Sequence, residues 1–176
     1  MFIIGYVGHQ LTAFTFYLVF LVHFVGGTIS FIPVIISLIS AILPDIDEPQ
    51  SYIGRRLRLI SNIFKALFGH RGFTHSILSM LIFGFIFYLS FVNTGIFPFY
   101  YIWYFVIGYS SHLLGDLVTK SGIPLFSPFS SKKIALKFFA TGSSGEKFVI
   151  LGLLSVTIYF FIQIYPSSFY YIHSFF

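Results

Sequence analysis

Three short strings in this chain carry side chains that hold metal ions or move protons. Asp45 and Asp47 form an Asp-x-Asp turn bracketed by Pro44 and Pro49. Two carboxylates at that spacing can face one cation, although helix capping and solvated headgroup contact suit them equally. His70 and His75 stand six residues apart, counted inclusively, with Arg71 between them. A lone histidine at an interface is usually a satisfied polar group. Two so close together point toward coordination, since neutral imidazole is a favoured ligand for zinc and other transition metals. His112 and Asp116 lie four apart and share a helical face. An ionisable pair inside an apolar helix is expensive, so function is its default reading; the plain alternative is a His–Asp hydrogen bond that staples two helices. His9 and Glu146 are weaker signals. Alone, His9 reads as an interface polar group, and Glu146 as a charge favoured by a helix N-terminus. The chain has no cysteine, so any metal must be held by imidazole and carboxylate.

Other chemistries fit poorly. The sequence lacks a P-loop, G-x-G-x-x-G, G-x-S-x-G and H-E-x-x-H. Ser76, next to His75, is explained by helix capping. The net charge of +5 does not imply nucleic acid as a partner, because the basic residues flank apolar runs and form no solvated basic face.

The elements that must position these residues are membrane helices. The chain is 57% hydrophobic and 9% charged, with mean hydropathy +0.92. A soluble domain carries roughly a quarter charged residues. One membrane-embedded domain over 1–176 is expected, and no positive n-region marks a cleaved signal. Phe2 to Leu43 holds no Asp, Glu, Lys or Arg, which is too long for one span of about 20 residues. Gly26-Gly27 near its middle predicts two short helices, 9–25 and 28–43, forming a hairpin. Further spans are expected at 74–92, 99–118 and 147–165. The pattern Leu57, Ile60, Phe64, Phe68, with Arg58 and Lys65 off that face, predicts an amphipathic helix in the interface. The expected fold is therefore an all-α integral membrane protein with about five transmembrane helices plus this interfacial helix.

Charge placement orients the spans. All ten basic residues fall in or at the edge of two connections, 44–73 and 119–146. Five spans put both connections on one side, which the positive-inside rule makes cytoplasmic, with the N-terminus cytoplasmic and the C-terminus outside. The five acidic residues and His9, His70, His75 and His112 fall on that same side; His23 and His173 do not. A single helix over 11–43 would run roughly 50 Å and carry His9 far from Asp45, so the hairpin is preferred. Convergence on one face is the strong signal, because polar residues placed at random would divide between both.

The strings Gly8-His9, Leu43-Pro-Asp-Ile-Asp47, Gly69-His-Arg-Gly-Phe-Thr-His-Ser76 and Gly108-Tyr-Ser-Ser-His-Leu-Leu-Gly-Asp116 resemble the YdjM-like family, as does Gly122-Ile-Pro-Leu-Phe-Ser-Pro128. The likeness runs from about His9 to Glu146. It implies a bacterial inner-membrane, metal-dependent hydrolase, of a family some of whose members are controlled by the LexA repressor. It further implies a metal site built from His9, Asp45, His70 or His75, His112 and Asp116. One or two divalent ions are expected, zinc first. In that reading Asp47 or Glu146 is the general base, and Arg71 binds an anionic group. The expected substrate is a phosphoester or lipid-like molecule at the cytoplasmic membrane surface. Two other readings stand beside it: an ion-binding transporter, which predicts ionisable residues through the depth of the membrane, and a structural or regulatory membrane protein with a closed, non-catalytic metal site.

Overall fold

A computed structural model describes residues 2–69 and 71–165, with side chains from Gly5 onward. His70 and the tail after Tyr165 lie outside these residues. The described chain is helical, with two isolated bridge pairs, Thr119–Phe139 and Ile123–Ile134, in place of any strand.

Helix α1 spans Phe2–Phe20 and continues as a wider π turn over Leu21–Val25. It starts well before the expected position 9, because nothing in the uncharged N-terminal run stops it. Gly26 and Gly27, both at positive φ, then reverse the chain. Helix α2, Phe31–Ser40, returns along α1. The hairpin is therefore as expected, but α2 has 10 residues, about 15 Å, half of a bilayer core. It ends early because the chain turns at Ala41 and tightens into a 3-10 turn, Pro44–Asp47.

Helix α3, Arg58–Phe68, is the amphipathic element. Ser61 faces inward and is buried, and Lys65, partly exposed, reaches Glu48 Oε2 with its Nζ at 3.0 Å. Its apolar side faces outward, with Leu59 75% and Leu67 68% exposed. Of the expected stripe, Leu57, Ile60 and Phe68 are exposed while Phe64 is half-buried against Phe83, and the outward side extends to Leu59, Ile63 and Leu67. A 3-10 turn over Phe73–His75 leads into α4, Ile77–Phe87, which widens at Tyr88–Val92. Ser76 caps α4 reciprocally with Ser79. Thr74, an expected cap, is used elsewhere. Helix α5, Tyr101–Leu117, and helix α6, Ser144–Ile164, complete the bundle.

Two of these helices, Gly5–Val25 and Ser144–Ile164, are long and apolar enough to cross a membrane; Ile77–Val92 is a shorter apolar helix. Helix α5 is the hub, packed on α1, α2 and α4, while α6 packs on α1 and shows most of its surface outward. The core joins Tyr17, Leu18 and Leu21 of α1, Ile36 of α2, and Tyr104, Phe105, Tyr109 and Leu113 of α5. Ser37 Oγ donates to the Tyr104 carbonyl at 3.1 Å, and Thr15 and Thr157 hydroxyls meet at 2.6 Å between α1 and α6. Such small polar contacts hold helices together where lipid removes the hydrophobic drive.

The α2–α5 crossing is closest at Gly108. A Cβ there would lie 2.0 Å from the Ser37 carbonyl oxygen and 2.1 Å from Ser40 Oγ. Gly108→Ala must therefore push α2 away from α5. The expected cost is at least about 1–3 kcal/mol, seen as a lower melting temperature in detergent. An unchanged melting temperature would refute this packing.

Candidate metal centre

Four segments bring acidic and imidazole groups to one end of the bundle: α1 at His9, the 44–47 turn, the 71–75 turn, and the C-terminal half of α5. His112 is anchored first. Its Nδ1 lies 2.7 Å from the Ala41 carbonyl oxygen, which can only accept. Nδ1 therefore carries the proton, and the Nε2 lone pair faces the centre. His75 is anchored by Asp47. Its Nδ1 is 3.2 Å from Asp47 Oδ2, and Thr74 Oγ1 donates to that same oxygen at 2.6 Å. The Gly72 N–H reaches it at 3.3 Å. Asp47 and His75 are both 0% exposed. This carboxylate–imidazole arrangement aims the His75 Nε2 inward, as outer partners of metal-bound histidines commonly do.

The two Nε2 atoms are 3.3 Å apart. Asp116 Oδ2 is 3.3 Å from His75 Nε2 and 3.5 Å from His112 Nε2. Asp45 Oδ1 stands slightly farther, 3.7 and 3.6 Å from the same nitrogens. Asp116 Oδ2 is buried and has no hydrogen-bond partner. Lone pairs thus converge from four side chains, and the arrangement calls for a cation. A zinc ion with ligand bonds of about 2.0–2.2 Å has tetrahedral edges of about 3.3–3.6 Å. The His75, His112 and Asp116 spacings match and those of Asp45 reach slightly beyond them, and two imidazoles with two carboxylates form a donor set that zinc accepts. The residues present fit a divalent transition-metal ion.

Without an ion, a proton serves. Burial disfavours the charged form of His75, but the surrounding carboxylates of Asp116, Asp45 and Asp47 outweigh it and hold His75 well above the usual histidine range. Burial likewise opposes the charge on Asp45, yet the His112 and His75 imidazoles outweigh it and lower its carboxyl to about 2.

A second face of the cluster belongs to His9. Its ring stacks on His112 with centroids 3.8 Å apart, and its Nε2 lies 3.7 Å from Asp116 Oδ1. His9, His112 and Asp116 form a second group at ligand spacing, beside that of Asp45, His75 and His112. Arg71 already brings positive charge to this side, its Nη2 2.8 Å from Asp116 Oδ1. Arg71 adopts a left-handed backbone, φ 52°. Glu146 is buried at the start of α6, accepting from the Gly142 N–H. It lines one cavity with His9 and Asp116.

Most residues singled out from the sequence are thus neighbours. His9, Asp45, His75, His112 and Asp116 form the cluster, and Arg71 and Glu146 border it. Of the alternatives His70 and His75, His75 points into the centre; His70 lies outside the described residues. Of the two general-base candidates, Asp47 is sealed behind His75 and Glu146 lines a cavity. The place of Thr74 beside Asp47 and that of Gly115 beside His9 escaped notice in the sequence. A Cβ at Gly115 would sit 3.0 Å from His9 Nδ1, so this glycine makes room for the imidazole. The signal was a small residue directly before Asp116, on a helix otherwise rich in large ones.

This geometry can be set beside known proteins. The family model described as YdjM inner membrane protein matches residues 5–171. The chain belongs to the YdjM family of inner membrane proteins. It is 36% identical over 118 residues to the inner membrane protein YdjM of Escherichia coli (strain K12), a match covering 66% of this chain and 60% of that protein. It is 34% identical over 131 residues to the uncharacterized protein YvsG of Bacillus subtilis (strain 168), covering 72% of this chain and 76% of that one. No solved structure matches.

Two outcomes are expected at this cluster. Asp47→Asn, which removes the carboxylate behind His75, should weaken zinc affinity by about 10–100-fold, read by competition with a chelating dye; equal affinity would refute the orienting role. Zinc loading in weak buffer at pH 7 should release protons, because His75 is held protonated without the ion, and loading should weaken as pH falls. Uptake with no proton release, measured by an indicator dye, would contradict that state of His75.

Proposed function

We propose that this member of the YdjM family is a membrane-bound, metal-dependent hydrolase acting on a phosphoester or lipid-like substrate. The observation that carries this reading is the convergence of His75, His112, Asp116 and Asp45 around one point with an unpartnered carboxylate oxygen among them. One ion is the economical reading, zinc first, because Arg71 already supplies charge on the His9 side of Asp116.

His75, His112 and Asp116 are the closer ligands. Asp45 stands at slightly greater distance and is 28% exposed along its side chain. That looser side is where an exchangeable position belongs, as catalytic sites keep one for water or substrate. When bound, a zinc ion supplies Lewis acidity that activates a water and polarises an ester oxygen. The side chains do the rest. Asp47 and the Ala41 carbonyl fix both imidazoles. Glu146, held by the Gly142 N–H and facing the cavity beside His9, accepts the proton of the attacking water. Arg71 steadies Asp116 and offers its remaining N–H groups to an anionic oxygen. In hydrolysis water adds to the ester centre, the bond to the leaving oxygen breaks, and that oxygen takes up a proton.

A transport pathway would need ionisable groups along the depth of the bundle. Among the described residues, the acidic groups gather at the end that bears the basic connections. By the positive-inside rule this end faces the cytoplasm.

The test begins with metal content, measured by mass spectrometry on detergent-purified protein that remains folded. His112→Ala and Asp116→Ala should each lose a stoichiometric ion that the wild type retains. Glu146→Gln should keep the ion and lose about 10²–10⁴-fold in turnover of a chromogenic phosphodiester. Wild-type protein that holds no metal after reloading with zinc, manganese or nickel would overturn the reading.

A further inference from the structure

Two cavities flank the cluster, and their chemistry differs. The first, about 230 Å³, lies between α1, α5 and α6. His9, Asp116 and Glu146 stand at its polar end. Phe16, Ile150 and Leu153 line the remainder. Leu114 and Val149 also line it and are 45% and 40% exposed on the outer apolar surface. The cavity therefore borders the outer apolar surface of the bundle, the surface that a surrounding bilayer's acyl chains would cover. The second cavity, about 350 Å³, holds Arg71, Lys133, Ser121, Tyr52, Asp45 and Glu48 among its lining residues. Glu48 is already paired with Lys65. Gly5, His9 and Thr141 line both cavities. Thr141 Oγ1 is buried at this junction without a hydrogen-bond partner.

A molecule bridging the two cavities must be apolar at one end and polar at the other. We propose that the substrate is an amphiphile, a lipid with an anionic phosphate-type headgroup. Its tail lies between α1, α5 and α6, and its headgroup lies against Arg71 and Lys133. This deepens the metallohydrolase reading and rests on it. The headgroup assignment follows from charge: with Arg71 counted against Asp116 and Glu48 against Lys65, Lys133 and an ion at the cluster remain at the second cavity against Asp45 alone. The tail assignment follows from the lining, since a free sugar phosphate or nucleotide would leave the apolar part of the first cavity, at Phe16, Ile150 and Leu153, unfilled. The scissile bond then falls beside His9, where the cavities meet.

The experiment uses the full chain in phosphatidylcholine nanodiscs, with a monododecyl phosphate carrying a terminal diazirine as photolabel. Labelled peptides are mapped by mass spectrometry, and metal content is measured on the same samples. Labelling is expected at Phe16 and within 149–153. Excess dodecyl phosphate should suppress it at least tenfold, and butyl phosphate should not. Ile150→Trp and Leu153→Trp, which fill the cavity, should reduce it similarly while metal content holds. Labelling spread over the outward residues Leu81, Phe85 and Ile86 of α4, insensitive to both competitors, overturns the tail cavity; the wild-type competition decides this even where a tryptophan variant fails to fold. Stoichiometric metal with such diffuse labelling sinks the amphiphile proposal alone. Cavity labelling on protein that never holds metal sinks the hydrolase assignment, and with it the amphiphile as a substrate.

Discussion

Buried negative charge governs this structure. Asp47 and Asp116 are 0% and 1% exposed, in a chain with few charges to spare. A carboxylate removed from water is tolerated only when hydrogen bonds and opposite charge replace its hydration. Asp47 obtains both from Thr74, Gly72 and His75. Asp116 obtains Arg71 on one oxygen and two imidazoles on the other. Each of these partners sits on a different segment from its carboxylate, apart from His112, so the helices cannot drift without exposing a charge to lipid. The positions of α2, the 71–75 turn and the end of α5 all follow from that demand.

The same demand explains the division of labour among the acidic groups. The Asp-x-Asp turn places Asp47 inward behind an imidazole and Asp45 outward at the rim of the second cavity. Glu48 turns to Lys65 and ties the amphipathic helix to the turn. Glu146, on the helix that packs only loosely, approaches from the opposite side. Each of the five carboxylates in the chain thus meets a different local requirement at one end of the bundle.

Much of this was legible in the residues. The Gly26-Gly27 reversal, the apolar helices, the inward His112–Asp116 pair and the gathering of polar groups at one end all follow from spacing and hydropathy. Other features were not. Asp45 and Asp47 are alike in sequence, and only their tertiary neighbours separate the one at the cavity rim from the one sealed behind His75. The start of α1 was misplaced because no charge or proline marks it. The length of α2 was overestimated because hydropathy reports what lipid accepts, not where a chain turns to aim a carbonyl at His112. The outward stripe of α3 was drawn too narrowly because helical spacing does not say which face meets the protein.

The cluster also has an order in time. Its groups come from positions 9, 45, 75, 112 and 116, so they reach the membrane one after another during synthesis. Asp47 meets its partners once the 72–75 segment is made, but His9 and Asp45 are made long before their neighbour His112 on α5. The polar centre is therefore complete only when α5 has been added, and a chain truncated before α5 would carry half of it.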